Sequence, residues 1–211
     1  MITRAAELVR QVGESTLAIA GVRVGTEEPV HSITPLAGDV EIRRYGTRIA
    51  AETMVAAGEE EARNAGFRLL AGYIFGGNHR KTKIAMTAPV SQLPTQSQAI
   101  AMTVPVVQTS SPDQGWVIRF FMPSKWTMDT LPTPNDERVQ LVEVPPETVA
   151  VLRFTGDRGP ATVAARTDEL LQVLREYGFE TTGTPAAWFY DPPWTLPFRR
   201  RNEIAVPVSA D

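Results

Sequence analysis

The residues best equipped for chemistry lie between Gly76 and Val106 and on the segment just before it. His79, one of two histidines, opens the basic run His79-Arg80-Lys81-Thr82-Lys83. An imidazole is a good metal donor, and neighbouring cations attract anionic groups. The run leads into a phrase written almost twice, Ile84-Ala85-Met86-Thr87-Ala88-Pro89-Val90 and then Ile100-Ala101-Met102-Thr103-Val104-Pro105-Val106. Met86 and Met102 hold equivalent places. A thioether can ligate a metal, although methionine more often fills irregular core space. Upstream, Arg63, Phe67 and Arg68 form a second group. A phenylalanine between two arginines can cover a flat ring and grip carboxylates. The plainer readings are an exposed loop histidine at 79, a surface histidine at His31, and a helix edge packed under the N-terminal segment at 63–68.

Composition argues against several other chemistries. The chain has no cysteine, which removes disulfides, thiolate metal ligation and cysteine nucleophiles together. Two histidines and no Gly-x-Ser-x-Gly elbow leave little basis for a catalytic triad. No His-x-x-x-His spacing suggests zinc. Gly76 to Thr82 has some look of a phosphate loop, but the closing Gly-Lys-Ser/Thr is missing and a helix precedes it. A net charge of −3 with only short basic clusters argues against general nucleic-acid binding. No run of about eighteen apolar residues is present, and no signal peptide stands out. The expectation is therefore no membrane partner and a cytoplasmic location.

These residues need elements to position them. Apolar positions in residues 3–20 predict a short helix, and Val22 to Leu36 an extended lead-in strapped along the rest. Asp39 to Arg44 and Thr47 to Val55 alternate as strands. Gly58-Glu59-Glu60-Glu61 opens a helix with acids at its favourable end. Ala62, Ala65, Gly66, Leu69, Leu70 and Tyr73 share one face; Arg63, Phe67 and Arg68 lie elsewhere around it. The helix stops near Gly76-Gly77. The two copies of the repeated phrase predict a hairpin, with Ile84, Met86 and Ala88 on one side and Ala85, Thr87 and Pro89 on the other. Trp116 to Met122 is a further strand, with Trp116, Ile118, Phe120 and Met122 on one face. After a Pro- and Thr-rich loop, Val139 to Val144 and Thr148 to Phe154 read as strands. Pro160 starts a second helix with a seam of Val163, Thr167, Leu170, Leu174 and Tyr177, closed by Gly178. Ala186 to Tyr190 and Asn202 to Val208 are the last strands. The acid and bases of Arg199 to Glu203 predict a structural ion pair.

The order strand, strand, helix, strands thus occurs twice, in halves 39–122 and 139–208, which predicts an α+β fold. The division is 1–37, an N-terminal helix and lead-in, and 38–211, the main domain. Tyr73-Ile74-Phe75-Gly76-Gly77-Asn78, Lys83 to Val90, Phe121-Met122-Pro123, Asp191-Pro192-Pro193 and Arg200-Arg201-Asn202-Glu203-Ile204 stand in the order of a known family. The chain resembles the SOUL/heme-binding-protein family over about residues 38–208. That resemblance implies a distorted antiparallel β-barrel with two helices packed outside, related by a pseudo-twofold axis. It also implies heme or a related porphyrin as ligand. On this reading the binding residues are His79, Arg63, Phe67, Arg68, Arg80, Lys81 and Met86, with His79 the iron ligand. Some members carry a histidine just before the position of Tyr45; here that residue is Arg44.

The expected function is a soluble heme- or tetrapyrrole-binding protein, a carrier or buffer rather than an enzyme. Two other readings remain open. One is a barrel with enzymatic activity on a tetrapyrrole or other small molecule, which an acid such as Glu52 or Glu203 inside a pocket would support. The other is a protein-interaction module using the N-terminal arm and the Pro-rich loops.

Overall fold

The computed structural model describes residues 26–95, 115–192 and 194–209. In chain order these form β1 (His31–Ala37), β2 (Val40–Tyr45), β3 (Arg48–Val55), α1 (Glu59–Ile74), β4 (Val90–Pro94), β5 (Trp116–Phe121), β6 (Gln140–Val144), β7 (Glu147–Phe154), α2 (Pro160–Glu176), β8 (Ala186–Phe189) and β9 (Asn202–Pro207). The strands make one antiparallel sheet in the order β1-β2-β7-β9-β8-β4-β5-β3-β6. From β2 to β6 this order is a palindrome. Exchanging β2 with β6, β3 with β7, β4 with β8 and β5 with β9 reverses it. The registers obey the same exchange: Tyr45 faces Glu147, and Val144 faces Arg48. The helices follow, α1 packing on β3 and β5, α2 on β7 and β9. The predicted pseudo-twofold is therefore present, with its axis between β4 and β8 and β1 outside it.

The chain itself curls this ribbon. β2 runs into β3 through Gly46-Thr47, and β6 into β7 through Pro145-Pro146, yet neither consecutive pair is hydrogen-bonded. Each two-residue link joins strands from opposite ends of the sheet. The ends must approach, and the sheet becomes a distorted barrel. At that seam Arg48 pairs with Glu147 and lies over the rings of Tyr45 and Phe121.

Side chains alternate between the two faces of each strand. One face carries the helices. Leu70, Tyr73 and Ile74 of α1 pack with Ala51, Ile118 and Phe120, and Leu170 and Leu174 of α2 with Ala150, Leu152, Ile204 and Val206. Gly66 lets α1 sit close, because a Cβ there would drive into the side chain of Ile118. The other face carries Tyr45, Val149, Val151, Trp188 and Ala205 and is covered by Ala88. Local signals set the helix bounds: three acids in the first turn of α1, Pro160 in the first turn of α2, and Gly178 at φ +76° just beyond it.

Three expectations change. The first copy of the repeated phrase enters a strand only at Val90. Before that its polar groups bond to other elements: Ile84 N to Ile74 O, Thr87 Oγ1 to Phe121 O, and Ala88 N to Glu27 O. Thr87, Ala88 and Pro89 are all buried while Ala85 and Met86 are exposed, so the predicted alternation fails. The second copy and residues 3–20 lie outside the described residues. His31–Ala37, expected as lead-in, is the edge strand β1, which leaves Thr26–Val30 as the strap. Tyr177 is 54% exposed because α2 ends one residue before it.

Candidate heme site on the first helix

The exposed edge of α1 carries Glu60, Glu61, Asn64, Phe67 and Arg68 around a shallow, open depression of about 620 Å³. Phe67 stands edge-on to Phe120, with ring centres 5.3 Å apart. One turn toward the helix start, Arg63 runs inward and is 8% exposed. Its guanidinium lies 4.8 Å from the centre of the Phe189 ring. Phe120, Val90 and Phe189 share one rung of three adjacent strands. An aromatic ledge thus runs beneath the edge of α1, with Phe67 over one end and Arg63 over the other.

Arg63 has weak neutral acceptors. Its Nη1 donates to Gln92 Oε1 and to Arg158 O, each at 3.4 Å. Arg158, on the β7–α2 loop, leans on the same ring with its guanidinium 5.6 Å from the Phe189 centre. It donates from Nη1 to Asp191 O at 3.1 Å. Burial, followed by the charges of Arg63 and Arg200, lowers the Arg158 pKa to about 10. Burial lowers that of Arg63 as well. Sequence reading set Arg63 beside Phe67 and Arg68 but missed Arg158 and the inward course of Arg63.

The rest of the expected set lies past the far end of the helix. Phe67 and Ile74 are about 10 Å apart along the axis, at 1.5 Å per residue. Beyond Ile74 the turn is held by buried Asn78, whose Nδ2 donates to Tyr73 O and Thr82 O and whose Oδ1 accepts from Thr82 N. This presents His79, Arg80 and Lys81 to the surface, all exposed. Arg80 reaches Thr130 O at 3.3 Å. Met86, 36% exposed, lies on the segment tied to the end of α1 through Ile84. The structure thus brings together Arg63, Phe67 and Arg68 on one helix, and His79, Arg80 and Lys81 in the turn that follows. An exposed ring, cations at both ends and a surface imidazole suit a flat, acidic, metal-bearing ligand.

The SOUL heme-binding protein family model matches residues 26–207. The chain belongs to that family. It is 30% identical over 178 residues to mouse Heme-binding protein 2, covering 82% of this chain and 79% of that one. Among solved structures it is similar to the EcmrR C-terminal domain, with a TM-score of 0.58 at 11% identity, covering 86% of this chain and 99% of that one. A hydrolase from Listeria innocua gives 0.54 at 12% identity, covering 81% and 92%. These two likenesses establish the SOUL barrel fold and nothing further.

The Arg-Arg-Asn-Glu phrase of this SOUL chain serves the opposite face of the sheet. Glu203 is fully buried. It accepts from Arg43 Nη1 and Nη2 at 2.8 and 2.9 Å, from Tyr190 Oη at 2.6 Å and from Arg201 Nε at 2.7 Å. Arg201 also reaches back to Glu28 of the strap and lies 3.8 Å over the Tyr190 ring. Burial pushes the Glu203 carboxyl up, but the bonds and charges of Arg43 and Arg201 outweigh it and leave it below its ordinary value. Burial and the nearby Glu203 push Tyr190 far up. The expected ion pair of residues 199–203 is therefore one arm of a larger network centred on Glu203, which also draws in Arg43 and Tyr190. Glu52 pairs with Arg119 at 2.5 Å. Among the described residues, no cluster of His, Asp and Glu is placed to hold a metal ion, and no helix is long and apolar enough to cross a membrane.

Proposed function

We propose that this protein binds heme or a related tetrapyrrole as a soluble carrier or buffer, with the ring laid against the exposed edge of α1. The observation that carries this reading is Phe67, exposed over the aromatic ledge and set between Arg63 and Arg68. Phe67 covers the ring, and the open depression lies beside it. Arg63, Arg68, Arg80 and Lys81 supply cations for the carboxylates. His79 is the candidate donor to iron, and Met86 adds apolar or soft-donor surface. Heme, when bound, contributes an iron that accepts an axial ligand. Glu52 and Glu203, the acids that an enzymatic reading would use, are both engaged in ion pairs. A cytoplasmic location belongs to the same reading and is checked by cell fractionation.

The test is a titration with hemin followed by absorbance, with protoporphyrin IX as the metal-free control. Phe67→Ala weakens both ligands. His79→Ala changes the hemin spectrum and weakens hemin alone. An unchanged hemin spectrum removes His79 from its role. Failure of the wild-type protein to bind either compound sinks the whole reading.

A further inference from the structure

We propose that a cleft on the pseudo-twofold axis, between the start of α1, α2 and the centre of the sheet, binds a small primary amine. The ammonium group donates to Glu59, and the apolar body of the molecule lies against Trp116. The cleft has a volume of about 300 Å³. Its floor is Gln92 and Ala187, and its sides are Pro94 and Trp116 from the strands and Val163 and Ala164 from α2. It shares no lining residue with the depression beside Phe67 on the exposed edge of α1, so it stands apart from the proposed tetrapyrrole site.

Broken symmetry makes the cleft. One rung of the sheet runs Thr53, Ile118, Gln92, Ala187, Ile204, Leu152. Exchange of the two halves reverses this rung and carries Gln92 onto Ala187, so that pair sits on the axis. A long amide thus stands beside a methyl group. Two residues further along each strand, Pro94 corresponds to Phe189. On the helices Arg63 corresponds to Ala164, each five residues past its N-cap glycine, Gly58 or Gly159. In one half the Arg63 guanidinium covers the Phe189 ring, 4.8 Å from its centre. In the other half Ala164 and Pro94 hold the same positions, and their short side chains leave the space open as the cleft.

The lining selects the ligand. Of the described residues that line the cleft, the charged ones are acids, Glu59 and Asp168. Glu59 Oε1 is buried and meets no hydrogen-bond donor. The backbone there is held in place, because Gln92 Nε2 donates to Glu59 O at 2.7 Å. Arg63 donates to Gln92 Oε1 at 3.4 Å and does not line the cleft. Its charge draws the Glu59 carboxyl down, but burial outweighs it and leaves the carboxyl above its ordinary value. A buried carboxylate oxygen without a donor is unfavourable, and an ammonium N–H supplies the donor in a charge-assisted bond. Asp168, exposed at the rim, adds attraction for a cation. Half-buried Trp116 offers apolar surface that also attracts cations. Pro94, Val163 and Ala164 suit an apolar body. A carboxylate or phosphate ligand would instead meet two acids.

The experiment titrates the protein with phenethylamine by calorimetry, beside two controls. Phenethyl alcohol has the same body without the charge, and phenethyltrimethylammonium has the charge without an N–H. Wild-type protein binds the amine about tenfold more tightly than either control, the difference expected for one charge-assisted hydrogen bond. Glu59→Gln removes the preference. Ala164→Arg puts a long side chain where Arg63 stands in the other half and abolishes binding of all three compounds. Ala164 is exposed on α2, so the fold tolerates that change. Glu176→Gln, at the far end of α2, changes nothing. The amine and protoporphyrin IX bind without competing. Absence of amine binding, equal affinity for the amine and either control, or binding that survives Ala164→Arg overturns the inference. So does competition with protoporphyrin IX, which would place the amine at the edge of α1. None of these outcomes touches the tetrapyrrole reading, which fails only in its own titration.

Discussion

Two pairs of arginines, each with one buried and one half-buried member, lie on opposite faces of the same sheet, and the protein treats them differently. On the face closed by the strap, Arg43 and Arg201 converge on Glu203, and a tyrosine hydroxyl completes the set. On the helix face, Arg63 and Arg158 share an aromatic ring and meet only neutral oxygens. The first group carries its own counter-charge. The second has acids nearby, Glu59, Glu60 and Asp157 around Arg63 and Asp191 and Glu60 around Arg158, but no direct carboxylate contact. Burial of an arginine therefore has two outcomes here, a direct ion pair on one face and neutral acceptors on the other.

The largest expected effect breaks the balanced group. Glu203→Gln leaves Arg43 and Arg201 without their shared partner and costs about 3–5 kcal/mol of stability, measured by urea unfolding. A loss below about 1 kcal/mol would mean that the network is not a structural centre. The same carboxylate gives a pH dependence. Its folded pKa lies below the ordinary 4.5, so its contribution is complete above that value and is lost as the pH falls below it. Thermal melts between pH 6 and 3 should show a steep acid limb, flattened in Glu203→Gln.

Next in size is Gly66→Ala, which pushes α1 away from Ile118 and costs about 1–3 kcal/mol. Since α1 carries Phe67 and Arg63, porphyrin affinity falls in the same variant. Wild-type affinity there would show that the ledge tolerates displacement of the helix. Arg158→Met comes third: no ion pair breaks, so unfolding free energy shifts by less than about 1 kcal/mol, whereas Arg43→Met follows Glu203→Gln. Similar losses in the two arginine variants would erase the distinction between the groups. The smallest effect is His79→Ala, within about 0.5 kcal/mol in stability because the ring is exposed. Its signature is confined to the hemin spectrum.

Much of the fold was legible because its signals are local. Gly58 and the three acids fixed the start of α1, Pro160 the start of α2, and Gly178 its end; period-two alternation marked β3 and β5. The repeated element order carried the twofold, and the family phrases carried the barrel. Of the candidate residues, the placement of Phe67 and Arg68 on an exposed helix edge and of His79 to Lys81 in a surface turn was legible. What tertiary structure decided was the destination of long or ambiguous side chains. Arg43 and Glu203 stand 160 residues apart, and no local pattern says which acid an inward arginine will meet. Arg63 sits at the boundary of the helix face, where a long stem can turn either way; the Phe189 ring and the β7–α2 loop turn it inward. Ile84 to Pro89 reads as a strand by periodicity, but its polar groups find partners on α1, β5 and the strap before any ladder forms. Periodicity reports which residues prefer burial, whereas non-local geometry selects the partners that satisfy them.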